Sequence, residues 1–273
     1  MIGKCALCGK ETEMTFEHIP PRSCFNSFPV KPVSGEKLIR SMAAGQCKPC
    51  DTSGLEYINM QSGMGKRSLC SACNSITGKW YGQDYAKFIR CINNLLIENK
   101  PDADGNISFS ILDMYPLRII KQMLSMICSI NQQIREDERI ARLAEFVLDK
   151  HRVGLDSKEY RIFIYIAKKH HAKYCPLTVI SRKVDSPERS NINVVSEIFV
   201  YPIGILVYFS PDESFSHFGA DITSFCDVDY DQKCDAQFLV PVLETYNIFP
   251  LDYRNKEDIK QATGDAVKEP PNI

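Results

Sequence analysis

The sequence predicts an α+β protein, with an N-terminal zinc-bound module followed by an α+β domain of two helices and an antiparallel sheet. Three observations lead to this class. Cys-x-x-Cys pairs, Gly and Pro are frequent in the first 70 residues, apolar residues recur at spacings of three and four after residue 72, and β-branched and aromatic runs follow residue 160. With 273 residues, the chain is long enough for two hydrophobic cores.

The N-terminal part is predicted to consist of short strands and loops that lead into one long helix. The run "EMTFEHI" has the character of a strand, which Pro20 and Pro21 would end. A long insertion between Pro29 and Gly65 contains a possible short helix, "EKLIRSMAA". A longer helix is expected from Ala72 to about residue 100, because its apolar positions follow helical spacing.

The segment "NKPDADGN" interrupts the periodic pattern with Pro, Gly and polar residues, and predicts a boundary between domains at 1–100 and 101–273. A short strand, "ISFSIL", and helices at "PLRIIKQMLSMICSINQQI" and "DERIARLAEFVLDKH" are expected after it. Four later runs predict the antiparallel sheet: "YRIFIYIA", "CPLTVIS", "VVSEIFVY" and "GILVYFS".

The cysteine content is interpreted through the cellular compartment. No apolar run approaches the ~20 residues that span a bilayer, and the first ten residues lack the apolar core of a signal peptide. We therefore expect a cytoplasmic protein without membrane contact. In a reducing compartment, twelve cysteines that include three Cys-x-x-Cys pairs indicate metal binding rather than disulfides.

Two of these pairs, Cys5/Cys8 and Cys70/Cys73, supply four thiolates, which suits a tetrahedral structural Zn²⁺. The third pair, Cys47/Cys50, leaves two alternatives open. It could complete the site with Cys5/Cys8, or it could build a second zinc site, to which Cys24 and Cys91 are further candidate ligands.

The charge distribution favours a polyanionic partner for the cysteine-rich part. Residues 1–100 carry 13 Lys and Arg against 8 Asp and Glu, a balance of +5, although the whole chain has a net charge of −1. A basic excess of this size favours contact with phosphates. Candidate phosphate-binding residues are Arg22 and Arg67, with Lys66 and Lys79 as weaker candidates.

A zinc link between the two cysteine pairs would bring the dipeptide Glu17-His18 close to Asn74. Glu17 and Asn74 offer oxygen ligands to a harder cation such as Mg²⁺ or Mn²⁺, and a neutral His18 can take a proton from water. Neighbouring residues of a strand point to opposite faces, so Glu17 and His18 share a site only if the strand ends or twists there. Asn74 has a simpler alternative role, the capping of a helix.

The segments "CALC", "FEHIPPRS" and "LCSACNSITG" resemble the HNH endonucleases of the ββα-metal, treble-clef-like class over about the first 90 residues. The resemblance implies that His18 is the general base, that Glu17 and Asn74 bind the catalytic Mg²⁺ or Mn²⁺, and that the four cysteines bind zinc. In this family a middle Asn orients the histidine; Asn26 and Asn59 are both candidates. The loop between the histidine and the second cysteine pair is much longer than is usual in the family.

The function that the resemblance implies is metal-dependent hydrolysis of phosphodiester bonds in nucleic acid, with DNA as the expected substrate. Standalone HNH proteins with an additional domain are often restriction or anti-phage effectors, and the C-terminal domain is then a candidate site for a protein partner or activator. The alternative is a non-catalytic zinc module that binds nucleic acid or protein through its basic face.

Overall fold

The computed structural model describes residues 1–47, 52, 54–168, 172–183, 190–211, 218–246 and 248–264. The predicted α+β class is confirmed. The strands are β1 (Ile2–Lys4), β2 (Glu11–His18), β3 (Gly65–Cys70), β4 (Asn106–Met114), β5 (Tyr160–Ala167), β6 (Lys173–Lys183), β7 (Ser190–Val200), β8 (Ile203–Phe209), β9 (Ala220–Asp221) and β10 (Cys234–Leu243). The α-helices are α1 (Gly35–Ala43), α2 (Ser71–Thr77), α3 (Gln83–Glu98), α4 (Pro116–Ile130), α5 (Glu138–Leu148) and α6 (Lys256–Thr263).

The N-terminal part contains a three-stranded antiparallel sheet of order β1-β2-β3. The register between β2 and β3 shifts after the pair Thr15 and Leu69, so that Ser68 is an extra residue in β3. Because of this bulge, Ser68 and Leu69 are both buried although they are neighbours in the chain. The chain then enters α2 directly from β3.

The long helix predicted after residue 72 is present but is not uniform. A π-helical turn, Gly78–Gly82, separates α2 from α3. Tyr81 of this turn is fully buried and its hydroxyl donates to the carbonyl of Val147, which attaches the turn to the end of α5. Such π-helical turns occur frequently at functional sites.

The C-terminal part contains a seven-stranded sheet of order β4-β10-β5-β8-β7-β6, with β9 paired to β5. The predicted antiparallel pairing holds throughout, except that β10 and β5 run parallel over Val242 and Leu243. The two predicted helices correspond to α4 and α5, and α6 is an additional helix that the periodicity had not indicated. Among the described residues, no helix has both the length and the apolar character that crossing a membrane requires.

Helix α4 lies at the centre of the molecule and contacts β3, the π-helical turn, α3, α5, β6 and β7. All of its residues except Arg118 are buried. The hydrophobic core that surrounds it is continuous and includes residues from both sides of position 100. Hydrogen bonds also cross this position: Arg135 donates to the carbonyl of Leu7, and the hydroxyl of Tyr174 donates to the carbonyl of Ile19. The N-terminal hairpin is thus held against α4 and β6.

Candidate functional site

The four predicted zinc ligands lie together in what we call the four-cysteine cluster. Cys5 and Cys8 are in the turn after β1, Cys70 ends β3, and Cys73 is in the first turn of α2. Their sulfur atoms all lie within 4.8 Å of one another, and the Sγ atoms of Cys8 and Cys70 are 3.9 Å apart. In a tetrahedron with Zn–S bonds of about 2.3 Å, the sulfurs are about 3.8 Å apart. The cluster can therefore hold a metal ion such as Zn²⁺.

Backbone groups around the cluster favour sulfur in its thiolate form. The N–H of Cys70 donates to the sulfur of Cys5 at 3.4 Å, and the N–H of Cys73 donates to the sulfur of Cys70 at 3.4 Å. A hydrogen bond from the Cys73 thiol, assisted by backbone N–H groups and opposed by burial, lowers the pKa of Cys5 to about 4. Thiolates are the form in which cysteine binds metal.

The remaining candidate cysteines do not join a second cluster within the described part of the chain. Burial raises the pKa of the Cys24 thiol to about 11, as expected for a small apolar residue of the core. Cys91 is half-buried, and its pKa is also raised by burial. Cys47 is near the carbonyl of Leu38, 3.9 Å away, and Cys50 lies outside the described residues.

His18 is the last residue of β2 and is held by two contacts. Its Nε2 is 3.0 Å from the carbonyl oxygen of Ser62, and the edge of the Phe16 ring packs against it with ring centroids 5.0 Å apart. A carbonyl oxygen only accepts hydrogen bonds, so Nε2 carries the proton. In a neutral imidazole, Nδ1 then has the lone pair that can accept a proton.

Asn26 holds the long insertion in place around His18. Its Nδ2 donates to the carbonyls of Pro20 and Met64, and its Oδ1 accepts the N–H of Met64, each at 2.7 Å. Gly63 has φ +98°, and a Cβ there would be 2.2 Å from the carbonyl oxygen of Asn26, so this close approach requires glycine. Asn59, the other candidate for the middle position, is exposed. The geometry therefore favours Asn26 as the residue that positions His18.

Asn74 lies in α2 next to β2. Its Nδ2 donates to the hydroxyl of Thr15 at 3.0 Å, and that hydroxyl donates to the carbonyl of Leu69 at 2.9 Å. The amide oxygen of Asn74 is then the atom that can ligate a cation. The capping role considered for Asn74 belongs to Cys70, whose sulfur accepts the N–H of Cys73.

Glu17 points to the opposite side of β2 from His18, toward α4, and is only 6% exposed. Its Oε2 accepts hydrogen bonds from the hydroxyls of Ser129, at 2.5 Å, and Ser68, at 3.4 Å. Burial raises the pKa of Glu17 to about 7, and the two serine hydrogen bonds partly oppose this increase. The carboxyl group is thus close to the balance between its neutral and charged forms at physiological pH.

Glu17, His18 and Asn74 nevertheless line one cleft of about 470 Å³, which we call the His18 cleft. The end of β2 and the loop after it form one wall, one face of α2–α3 forms another, and α4 contributes one residue. Of the two predicted phosphate-binding residues, Arg22 lines the cleft. Arg67 is not among the lining residues, and its guanidinium donates to the carbonyl of Met14.

Two further residues of the cleft were missed by the sequence reasoning. Arg90 is exposed on α3, and Gln122 is buried on α4. Arg90 gave no signal, because sixteen residues of a regular α-helix would turn it away from Asn74, and the π-helical turn Gly78–Gly82 between them was not predicted. Gln122 gave no signal, because a single glutamine in a predominantly apolar helix is not distinctive.

We predict that the purified protein contains zinc in the four-cysteine cluster and that Cys70→Ser removes it. A structural zinc contributes roughly 10 to 16 kcal/mol of apparent binding free energy in small modules. Its loss should unfold the β1–β3 sheet while the seven-stranded sheet stays folded. Elemental analysis and hydrogen exchange check this, with Cys234→Ser as the control that keeps its zinc. Zinc well below one equivalent in folded wild-type protein would contradict the prediction.

A second prediction separates the two asparagines of the insertion. Asn26→Ala should lower the free energy of unfolding by about 2 to 4 kcal/mol, because it removes three hydrogen bonds and leaves buried backbone groups unpaired. Asn59→Ala should change it by less than about 0.5 kcal/mol, as is usual for an exposed residue. Urea unfolding curves of both variants give the comparison. Equal effects would mean that Asn26 does not anchor the insertion.

A third prediction concerns the pH dependence that Glu17 confers. A glutamate carboxyl ordinarily has a pKa of 4.5, and the pKa of Glu17 in the folded protein is about 7. The folded state therefore keeps a proton that the unfolded chain loses, and the free energy of unfolding falls as pH rises from about 4.5 to 7. Glu17→Gln should abolish this dependence and be more stable than wild type at about pH 8, by up to about 3 kcal/mol.

The matched control for this measurement is Glu13→Gln, since Glu13 is an exposed residue of the same strand. Denaturation across the pH range in magnesium-free buffer provides the data. If Glu17→Gln follows the wild-type pH profile, Glu17 is not the group responsible.

Comparison with known proteins finds no relative that would suggest a function. No family model matches the chain, and neither the curated proteins nor the solved structures contain a match. The four-cysteine cluster and the residues of the His18 cleft are therefore the features that bear on function.

Proposed function

We propose that the protein is a metal-dependent endonuclease of the HNH type, which hydrolyses phosphodiester bonds in nucleic acid. The observation that carries this proposal is the position of His18. Its Nε2 donates to the Ser62 carbonyl, its Nδ1 is left as a base, and it lines one cleft together with Glu17 and Asn74.

The residues present fit a divalent cation of the Mg²⁺ or Mn²⁺ type. An amide oxygen and a carboxylate are hard donors of the kind such cations prefer. Asn74 supplies the amide from α2, and the carboxyl of Glu17, which is bonded to Ser129 and Ser68 on the other side of β2, would have to rotate into the cleft to complete the site. When bound, the cation would stabilise the negative charge that develops on the phosphate and the leaving oxygen.

His18 acts as the general base. Nδ1 takes a proton from a water molecule, which attacks phosphorus, and the leaving oxygen departs on the opposite side. The Ser62 carbonyl and the Phe16 ring hold the imidazole in one orientation. Little conformational entropy of the imidazole is therefore lost when the transition state forms. Arg22, an exposed residue of the cleft lining, would bind a substrate phosphate.

One observation favours the alternative, a zinc module that binds nucleic acid or protein without catalysis. The carboxyl of Glu17 already has two serine partners and a pKa near 7, so that part of the population is neutral in the absence of metal. A neutral carboxyl is a poor ligand. The activity test below distinguishes the two functions, since the alternative predicts binding with no cleavage.

Our fourth prediction is that wild-type protein cleaves nucleic acid in the presence of Mg²⁺ or Mn²⁺ and that His18→Ala lowers the rate by about 10²- to 10⁴-fold, the usual contribution of a general base. Zinc content and folding should not change, because His18 is outside the four-cysteine cluster. The measurement uses plasmid and single-stranded substrates. His151→Ala, which removes an exposed histidine distant in sequence, serves as the control.

Glu17→Ala and Asn74→Ala should behave differently, since they remove ligands of the cation rather than the base. Their residual rates should rise with Mg²⁺ or Mn²⁺ concentration, whereas the rate of His18→Ala should not. A wild-type protein that binds nucleic acid but cuts none of the substrates would favour the non-catalytic module.

A further inference from the structure

The floor of the His18 cleft is a line of residues spaced four apart. Asn74, Gly78, Gly82, Ala86 and Arg90 all line the cleft, on the continuous helical segment formed by α2, the π-helical turn and α3. Residues four apart lie on one side of a helix. Between the polar ends of this line there are only two glycines and one alanine, while Thr77 and Gln83 of the same segment line the cleft beside them.

Other described residues do not fill the space above Gly78 and Gly82. A Cβ on Gly78 would meet no atom within 4 Å, and one on Gly82 would meet only Oε1 of Gln122, at 3.9 Å. Both glycines have right-handed helical backbone angles, with φ near −60°. Neither backbone conformation nor packing requires glycine here, and glycine is a poorer helix former than alanine.

Gln122 places an unsatisfied polar atom next to this space. Its side chain is 3% exposed, lines the cleft and faces Gly82. Within the described part of the chain, its Oε1 is buried and has no hydrogen-bond partner. A buried oxygen left unpaired is costly and uncommon in folded proteins. A ligand that brings an N–H or O–H donor to this point would satisfy it.

The charged groups of the cleft indicate the chemical class of that ligand. Arg22 and Arg90 are both exposed side chains of the lining, and guanidinium groups bind phosphate. The cleft volume, about 470 Å³, is within the range of roughly 300 to 1,000 Å³ typical of sites for small ligands. A space of this size accommodates one nucleotide unit, and a base-paired nucleotide would have to leave its duplex to enter it.

We propose that the His18 cleft binds one unpaired nucleotide of a single-stranded substrate, next to the bond that is cut, and that Gln122 accepts a hydrogen bond from that nucleotide. This inference rests on the proposed function, because it assumes that the neighbouring phosphodiester lies at His18. The donor is a base N–H or a sugar hydroxyl. The open floor over Gly78 and Gly82 is the room that the nucleotide occupies.

Two variants of the zinc-loaded, full-length protein test the proposal. Gln122→Met keeps the length of the side chain but removes the amide, and Gly82→Ala places a methyl group in the cleft. Neither should lower the melting temperature, since Gln122 loses no partner for its oxygen and alanine favours the helix. Gln237→Met, an exposed position on β10, is the matched control.

The measurement is the Kd of a labelled 12-nucleotide single strand and of the corresponding duplex, by fluorescence anisotropy without added Mg²⁺ or Mn²⁺. We expect wild type and Gln237→Met to prefer the single strand, and each cleft variant to bind it about tenfold more weakly. An equal loss with DNA and RNA strands assigns the donor to the base, whereas a loss with RNA alone assigns it to the 2′-hydroxyl.

A preference for duplex, or unchanged affinity in both cleft variants, would overturn the inference. The result is separable from the nuclease proposal. If wild type cuts duplex plasmid and the cleft variants cut it equally well, the nuclease assignment stands and this inference fails. If the cleft variants lose single-strand binding but wild type cuts neither DNA nor RNA, the binding site stands and the nuclease assignment fails.

Discussion

The His18 cleft depends on one constraint, the four-cysteine cluster. This cluster joins the turn after β1 to the junction of β3 with α2. About 60 residues separate Cys8 from Cys70, and closing a flexible loop of that length costs ~4 kcal/mol in chain entropy. The small sheet β1-β2-β3 has little core of its own to offset this cost. A zinc ion bound by four thiolates contributes more than the cost. Zinc bound at this cluster would fix Asn74 beside β2, where the amide of Asn74 reaches Thr15.

The cleft also combines two opposite demands on Glu17. Folding favours the neutral carboxyl, because the side chain is buried against α4 and its pKa is raised to about 7. Cation binding favours the carboxylate. Ser68 and Ser129 donate to the charged form and so moderate the cost of ionisation. If Glu17 supplies a ligand as proposed, its cost to stability at neutral pH is the compromise expected of a catalytic site, where strain or burial is retained for function.

Sequence reasoning was effective where the signal is local and limited where it depends on tertiary contacts. A metal site built from Cys-x-x-Cys pairs was predictable, because that spacing suits a metal, but spacing left open whether Cys70/Cys73 or Cys47/Cys50 would join Cys5/Cys8. Asn26 could not be distinguished from Asn59, since its role comes from Met64, 38 residues later.

Strand β10 was missed in part because it contains Pro241, which usually argues against a central strand. Proline is tolerated there because β10 pairs with β5 only over Val242 and Leu243.

The polar residues of α4 explain how the C-terminal part of the chain participates in the site. Ser129 donates to Glu17, Gln122 lines the cleft, and the amide of Asn131 reaches Ser196 of β7 and the N–H of Leu177 in β6. Gln122 and Ser129 lie in α4, Asn131 follows its last residue, and every residue of α4 except Arg118 is buried. The division at residue 100 remains a prediction about folding units. The proposed site does not follow that division. Ser129, which donates to Glu17, and Gln122, whose amide oxygen has no partner among the described residues, both lie on α4, the helix that also supports the seven-stranded sheet. Any rearrangement of that sheet that moved α4 would therefore change both the ionisation of Glu17 and the width of the cleft.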